Sequence, residues 1–131
     1  MRIMLTEMPG ENGYIESLIN AYRNDGHEVL LGAENFFDSR LVPDVLHIHW
    51  PYRWNENTLG SEEGVVSGIK QRLEWYKTNS TVVVYTVHNL EPHESPASLN
   101  SSVFNLIAKH ADTRVHHCAK SILDAVKFFD A

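Results

Sequence analysis

The chain has 131 residues, the size of one domain, and a formal net charge of −6. Nucleic-acid binding needs a clustered basic face, so this charge argues against a nucleic-acid partner. Cys118 is the only cysteine, which excludes an internal disulfide and suits a reducing cytoplasm. No stretch approaches the ~18 uninterrupted apolar residues of a membrane span, and the polar residues after Leu5 are unlike a secretory signal. We therefore expect one cytoplasmic domain over residues 1–131, with a peripheral position at the inner face of the membrane left open.

The first part of the sequence predicts a strand, a helix and a second strand. The apolar run 2–5 predicts the first strand, and turn-forming residues follow it. A helix is predicted next, with Gly26 just after its C-terminus. The second strand is predicted over 27–31. The apolar residues with helical spacing are Ile15, Leu18, Ile19 and Tyr22.

The middle of the sequence predicts a loop, a third strand, a second helix and a fourth strand. The third strand covers 45–49, and the polar stretch 52–60 indicates a further loop. Ser61 is the predicted N-cap of a helix whose apolar positions recur with helical spacing. The strongest strand signal is the β-branched run 81–87, typical of a buried parallel strand. The apolar helix positions are Val65, Val66, Ile69, Leu73 and Tyr76.

The last part of the sequence predicts a loop, a helix, a fifth strand and a final helix. Pro92 and Pro96 bracket the loop, and a helix begins at Ser98 or Asn100. The fifth strand covers 113–116. The final helix is marked by Ile122, Leu123, Val126 and Phe129.

Strands that alternate with helices predict a parallel α/β sheet with helices on both faces. We expect a doubly wound, Rossmann-like domain of about five strands in the order 3-2-1-4-5. Ligands of such sheets bind beyond the carboxyl ends of the strands. That rule selects the residues that follow each strand as candidates for a site.

Histidines are unusually frequent, with eight in the chain, and several follow predicted strands. His49 and Trp50 end the third strand, His88 ends the fourth, and His116 and His117 end the fifth. At least four histidines are thereby predicted to meet at one edge of the sheet. In contrast, His47 lies inside a strand and is predicted to be a hydrogen-bonded core residue. His27 and His110 are predicted to lie away from the site.

The residues at the strand ends exclude some classes of protein that have this fold. A phosphoacceptor domain needs acidic residues at positions that hold Thr6 and His49, and the sequence has no phosphate-binding GxxxxGK[ST] loop. A small metal-dependent enzyme stays open as an alternative, because His47 and His49 share one face of a strand. Its ligands would be His47, His49, His88 and His93.

Four segments together resemble the N-terminal domain of GT-B glycosyltransferases, with family 4 and related enzymes as the nearest match. They read GHEV at the second strand, DVLHIHWP at the third, VYTVHNLEPHE at the fourth and ADTRVHHCAKS at the fifth. The resemblance spans essentially the whole chain. It implies an acceptor-binding half of a two-domain enzyme that transfers a sugar from a nucleotide-sugar donor to a carbohydrate or lipid-linked acceptor.

The resemblance also implies roles for individual residues. His88 is expected to contact the donor sugar as the catalytic histidine. The other residues implied in substrate binding lie in the loops after the strands. They are Gly10, Asn12, Gly13, Tyr14, His49, Trp50, Asn89, Glu91, His93, His117 and Ser121. Neither a metal nor a cofactor is expected.

Members of this family are about twice as long as this chain, and a second domain binds the donor. We therefore expect the 131 residues to have little activity without that donor-binding domain. The alternative is a stand-alone, non-catalytic module that binds a carbohydrate or a protein through the same strand-end surface.

Overall fold

A computed structural model describes residues 1–10, 13–38, 40–51, 62–88 and 97–120 of the chain. Strands and helices alternate throughout these ranges, as the sequence predicts. In chain order the elements are β1 (Arg2–Leu5), α1 (Tyr14–Asn24), β2 (Glu28–Leu31), α2 (Ala33–Asp38), β3 (Val45–Ile48), α3 (Glu62–Thr78), β4 (Val82–Val87), α4 (Ala97–His110) and β5 (Thr113–His116).

The five strands form one parallel sheet in the order β2-β1-β3-β4-β5. This confirms the predicted doubly wound α/β class and two of the predicted neighbour pairs, β1 with β2 and β4 with β5. The predicted order was wrong for β3, which lies between β1 and β4 and not outside β2. Burial explains the difference: β3 is buried over most of its length, whereas β2 is only half-buried, as suits an edge strand.

Helices pack on both faces of the sheet. Helix α1 lies on one face, where Ile15 and Ile19 pack against Leu5. Helices α2, α3 and α4 cover the other face and form the larger core. Their buried side chains include Phe36, Val65, Ile69, Leu73, Tyr76, Val103, Phe104, Ile107 and Ala108. The helical periodicities read from the sequence therefore mark the buried faces of α1, α3 and α4.

Helix α1 ends as the sequence predicts, at a glycine in the left-handed region. Gly26 has φ +84°, and its N–H donates to Arg23 O, while the N–H of His27 donates to Tyr22 O. These two bonds are those of a Schellman motif, which satisfies the last carbonyls of a helix. The motif turns the chain directly into β2.

Helix α2 was not predicted, because the stretch between the second and third strands was assigned to a loop. The helix has only 6 residues, too few to show a helical repeat of apolar positions. It is held by tertiary contacts: Phe36 is fully buried, and its carbonyl accepts hydrogen bonds from Tyr76 Oη at 2.7 Å and Arg72 Nε at 2.6 Å. Packing, not local propensity, accounts for this element.

Two aspartates connect neighbouring strands at the N-terminal end of the sheet. Asp44 precedes β3, and its Oδ2 accepts the N–H of Arg2 at 2.7 Å. Asp112 precedes β5, and its Oδ2 accepts the N–H of Val83 at 2.8 Å. Each aspartate also donates its own N–H to the carbonyl of the same neighbour. These reciprocal bonds fix the register of β1 with β3 and of β4 with β5 at the end of the sheet opposite the candidate site.

Several predictions concern segments outside the described residues. They include the N-cap Ser61, the loop between Pro92 and Pro96 and the final helix at 122–129. Among the residues that the structure describes, none of the helices has the length and apolar character needed to cross a bilayer.

Candidate functional site

Aromatic and imidazole side chains from four elements lie together at the C-terminal ends of the parallel strands. With β3 beside β1, the strand order reverses between these two strands, and ligand sites of such sheets lie at this point. His49 and Trp50 follow β3, His88 follows β4, and His117 follows β5. Tyr14 reaches the same place from the first turn of α1. The structure thus brings together five of the predicted site residues.

Three of these histidines form a continuous hydrogen-bonded chain. His49 Nδ1 lies 3.0 Å from His88 Nε2, and His88 Nδ1 lies 3.1 Å from His117 Nε2. Exposure increases along the chain: His49 is 1% exposed, His88 is half-buried and His117 is exposed. The chain therefore connects solvent with a buried position beside β3.

The inner end of this chain has an unused ring nitrogen. Among the described residues, His49 Nε2 is buried and has no hydrogen-bond partner. The same holds for Thr6 Oγ1, at the carboxyl end of β1. Buried polar atoms are normally paired, so these two unpaired atoms at the carboxyl ends of neighbouring strands are candidate contacts for a ligand atom or a water.

Two aromatic side chains enclose the histidine chain. The Trp50 ring stacks on His88 with centroids 4.1 Å apart and an interplanar angle of 19°. Tyr14 meets the chain edge-on, with its ring centroid 5.3 Å from His88, 5.8 Å from His49 and 6.2 Å from His117. The side chain of Tyr14 is 37% exposed, so it forms part of the surface that a ligand would meet.

A second group of hydrogen-bonded polar side chains, centred on His47, lies next to His49. His47 is 6% exposed and uses both ring nitrogens, with Tyr22 Oη 2.7 Å from Nδ1 and Thr86 Oγ1 2.8 Å from Nε2. This confirms the predicted role of His47 as a hydrogen-bonded core residue. Its ring lies 4.2 Å from that of His49, so this hydrogen-bonded group holds the inner end of the histidine chain in place.

Burial keeps the clustered histidines neutral. Desolvation, and after it the charge repulsion from His88, lowers the pKa of His47 to about 4. The pKa of His49 falls to about 2, first through burial and then through repulsion from the surrounding imidazoles. Burial and His117 lower the pKa of His88 to about 4. At neutral pH each of these three rings therefore has one N–H donor and one acceptor nitrogen.

Glu7 is a site residue that the sequence analysis missed. It lies two residues beyond Leu5, which pairs with His47, so it reaches the level of His49 on the neighbouring strand. The side chain is only 5% exposed, and Oε1 accepts the N–H of Trp50 at 3.2 Å. The available signal was its position directly after an apolar strand, where a carboxylate is unlikely to be solvated.

The remaining predicted site residues divide into two groups. Gly13 is the N-cap of α1, with φ +68° and no side-chain cap, and it leads directly into Tyr14. Gly10 is exposed, with nothing within 4 Å of a Cβ built on it. The others lie outside the described residues, and the structure does not place them. They are Asn12, Asn89, Glu91, His93 and Ser121.

The alternative metal site was expected to use His47, His49, His88 and His93. Both ring nitrogens of His47 are occupied by Tyr22 and Thr86, and His93 lies outside the described residues. Within the part of the chain that the structure describes, no group of three or more His, Cys, Asp or Glu side chains is arranged to hold a metal ion. His47 is instead bonded to two hydroxyl groups, and His49, His88 and His117 are bonded to one another.

Known proteins provide no further identification of the site. No protein-family model, curated protein or solved structure matches the chain. The functional argument rests on the residues of the site and their geometry.

Proposed function

We propose that the chain is the acceptor-side domain of a GT-B glycosyltransferase, which transfers a sugar from a nucleotide-sugar donor to a carbohydrate or lipid-linked acceptor. The observation that carries the proposal is the position of His88 at the carboxyl end of β4. It is stacked on Trp50 and bonded to His49 and His117, next to the point where the strand order reverses.

The chemistry of glycosyl transfer fits this arrangement. The acceptor hydroxyl loses a proton as its oxygen attacks the anomeric carbon, and the leaving nucleotide diphosphate carries negative charge. A neutral imidazole has one acceptor nitrogen and one N–H donor, so it can take up a proton at one nitrogen and release one at the other, and aromatic rings bind the apolar faces of sugars. The site supplies both kinds of group, with Trp50 and Tyr14 beside the histidine chain.

The experiment isolates the native protein from its source with an antibody to this domain. The preparation is assayed for transfer from labelled UDP-, GDP- and ADP-sugars to a membrane and polysaccharide extract. We expect transfer from one of the three donors. Absence of transfer and of donor hydrolysis with all three would refute the proposal.

A substitution then tests the residue that carries the argument. His88→Ala removes a polar group from the reacting centre and should lower kcat roughly 100-fold or more. His110→Ala is the matched control, because His110 lies at the end of α4, where its ring Nδ1 bonds Leu106 O of the same helix. Equal turnover by the two variants would exclude His88 from the reaction.

The alternative of a non-catalytic binding module uses the same surface and differs only in the absence of turnover. Titration calorimetry with simple sugars separates the two functions. Binding of a sugar that depends on Trp50, without transfer from any donor, would favour the module.

A further inference from the structure

The histidine chain has a property that its separate members lack. A neutral imidazole has one N–H and one acceptor nitrogen, so each hydrogen bond between two rings needs a donor on one ring and an acceptor on the other. His88 is bonded on both sides, through Nε2 to His49 and through Nδ1 to His117. If His88 had the opposite tautomer to its two neighbours, one ring-to-ring contact would join two N–H donors and the other would join two acceptor nitrogens. All three rings must therefore adopt the same tautomer.

Two arrangements satisfy this condition. With the protons on Nδ1, His49 donates to His88, His88 donates to His117, and His49 Nε2 presents a lone pair. With the protons on Nε2, both hydrogen bonds reverse, and His49 Nε2 presents an N–H. The two arrangements differ by one proton taken up at His49 Nε2 and one released from His117 Nδ1. Exposed His117 and buried, unpartnered His49 Nε2 are the two ends of this path among the described residues.

We propose that His49, His88 and His117 form a proton relay between a ligand hydroxyl at His49 Nε2 and solvent at His117. The relay rests on the proposed function for the identity of the hydroxyl. As that oxygen bonds to the anomeric carbon, the bond from this carbon to the diphosphate oxygen breaks, and the electron pair leaves with the diphosphate. The hydroxyl proton moves to His49 Nε2, and the Nδ1 proton of His49 moves to His88 Nε2. The Nδ1 proton of His88 then moves to His117 Nε2, and His117 releases its own Nδ1 proton to water.

The surroundings suit a relay of neutral rings. The titratable groups next to it are Tyr14 from α1, His47 from β3 and His116 from β5, which interacts with His117. The Glu7 carboxylate after β1 accepts the N–H of Trp50, whose ring stacks on His88. Burial holds the pKa of both His49 and His88 below neutrality, so neither ring keeps a second proton. After the product leaves, water takes the proton from His49 Nε2 and returns one at His117, which restores the starting tautomer.

Nuclear magnetic resonance on the isotopically labelled chain tests the coupling of the three rings. The nitrogen shifts of each histidine ring report its tautomer, and we expect His49, His88 and His117 to share one. His117→Ala removes one ring-to-ring hydrogen bond and should change the tautomer ratio of His49 roughly two- to tenfold. His116→Ala is the control, because it removes an imidazole that interacts with His117 but is not one of the three rings of the relay.

The outcomes separate the relay from the proposed function. An unchanged tautomer ratio of His49 in His117→Ala, in a protein whose amide spectrum shows the native fold, would overturn the relay even if the chain takes part in sugar transfer. Coupled tautomers would support the proton path through the three rings even if no sugar transfer is found. Where transfer is measured, His117→Gly should lower kcat with little effect on KM, and added imidazole should restore the rate. A merely structural role of His117 would give no such rescue.

Discussion

Acid should destabilise this protein well above the pH at which its carboxylates titrate. His47 and His49 have native pKa values of about 4 and about 2, whereas an unfolded histidine has a pKa near 6.5. Below pH 6.5 the unfolded state therefore binds more protons than the native state, and the free energy of unfolding falls as the pH falls. The stabilisation is fully present above about pH 6.5 and, for His47, is lost down to about pH 4.

The size of the effect follows from these values. At pH 5 an unfolded histidine is almost fully protonated while both buried rings stay largely neutral. Each ring then costs about 2 kcal/mol of stability relative to pH 7.5, and the two together about 4 kcal/mol. We leave His88 out of this sum because the solvent around a half-buried ring reduces its contribution. The expected loss is a large part of the total stability of a small domain.

Urea unfolding at pH 7.5, 6 and 5, followed by circular dichroism, measures the effect. His49→Gln removes one of the titrating rings and should reduce the loss between pH 7.5 and pH 5 by about 2 kcal/mol. His110→Gln removes a histidine outside the cluster and is the control variant. Unfolding free energies that agree within about 1 kcal/mol at pH 7.5 and pH 5 would refute the reasoning, and so would identical slopes in the two variants.

Two further predictions concern residues around the histidine chain. Glu7→Ala removes the acceptor for the Trp50 N–H, so the Trp50 ring should lose its stacked position on His88. The ring-proton signals of His88 should then move downfield, because they lose the shielding of the stacked indole. Glu7→Gln keeps an acceptor and should preserve the positions of these signals. Equal spectra for the two variants would show that this bond does not position Trp50. Gly13→Ala should destabilise the fold by about 1 kcal/mol, because Gly13 has φ +68° at the start of α1, whereas Gly10→Ala should be close to neutral in thermal unfolding. The same midpoint for both variants would contradict this explanation.

The sequence predicts the elements with strong periodicity and misses what tertiary contacts decide. The apolar repeat of α3 and the β-branched run of β4 predict the buried faces of these elements without information about tertiary contacts. Helix α2 depends on the bonds that Arg72 and Tyr76 make to Phe36 O, which a local pattern does not contain. The position of β3 depends on competition between strands for burial, and the order 3-2-1-4-5 expected from the fold class was wrong for this strand.

The same division holds for the site. The rule for parallel sheets brings His49, His88 and His117 to one edge because each directly follows a strand. It says nothing about which ring nitrogens meet, since those contacts depend on side-chain rotation. Glu7 was missed because the residues after β1 were read as a turn, although the pairing of Leu5 with His47 brings Glu7 level with His49.

The dimensions of the sheet explain why three histidines from separate strands meet in this way. They follow β3, β4 and β5, which are neighbours in the sheet, and parallel strands lie ~4.8 Å apart. The ring centroids are 5.3 Å apart for His49 and His88 and 4.9 Å apart for His88 and His117, close to that strand spacing. The row is therefore an interstrand ladder of imidazoles, with its repeat set by the backbone. Inserting one residue into β4 would turn His88 to the opposite face and break both hydrogen bonds, while many substitutions in the core would leave the ladder unchanged.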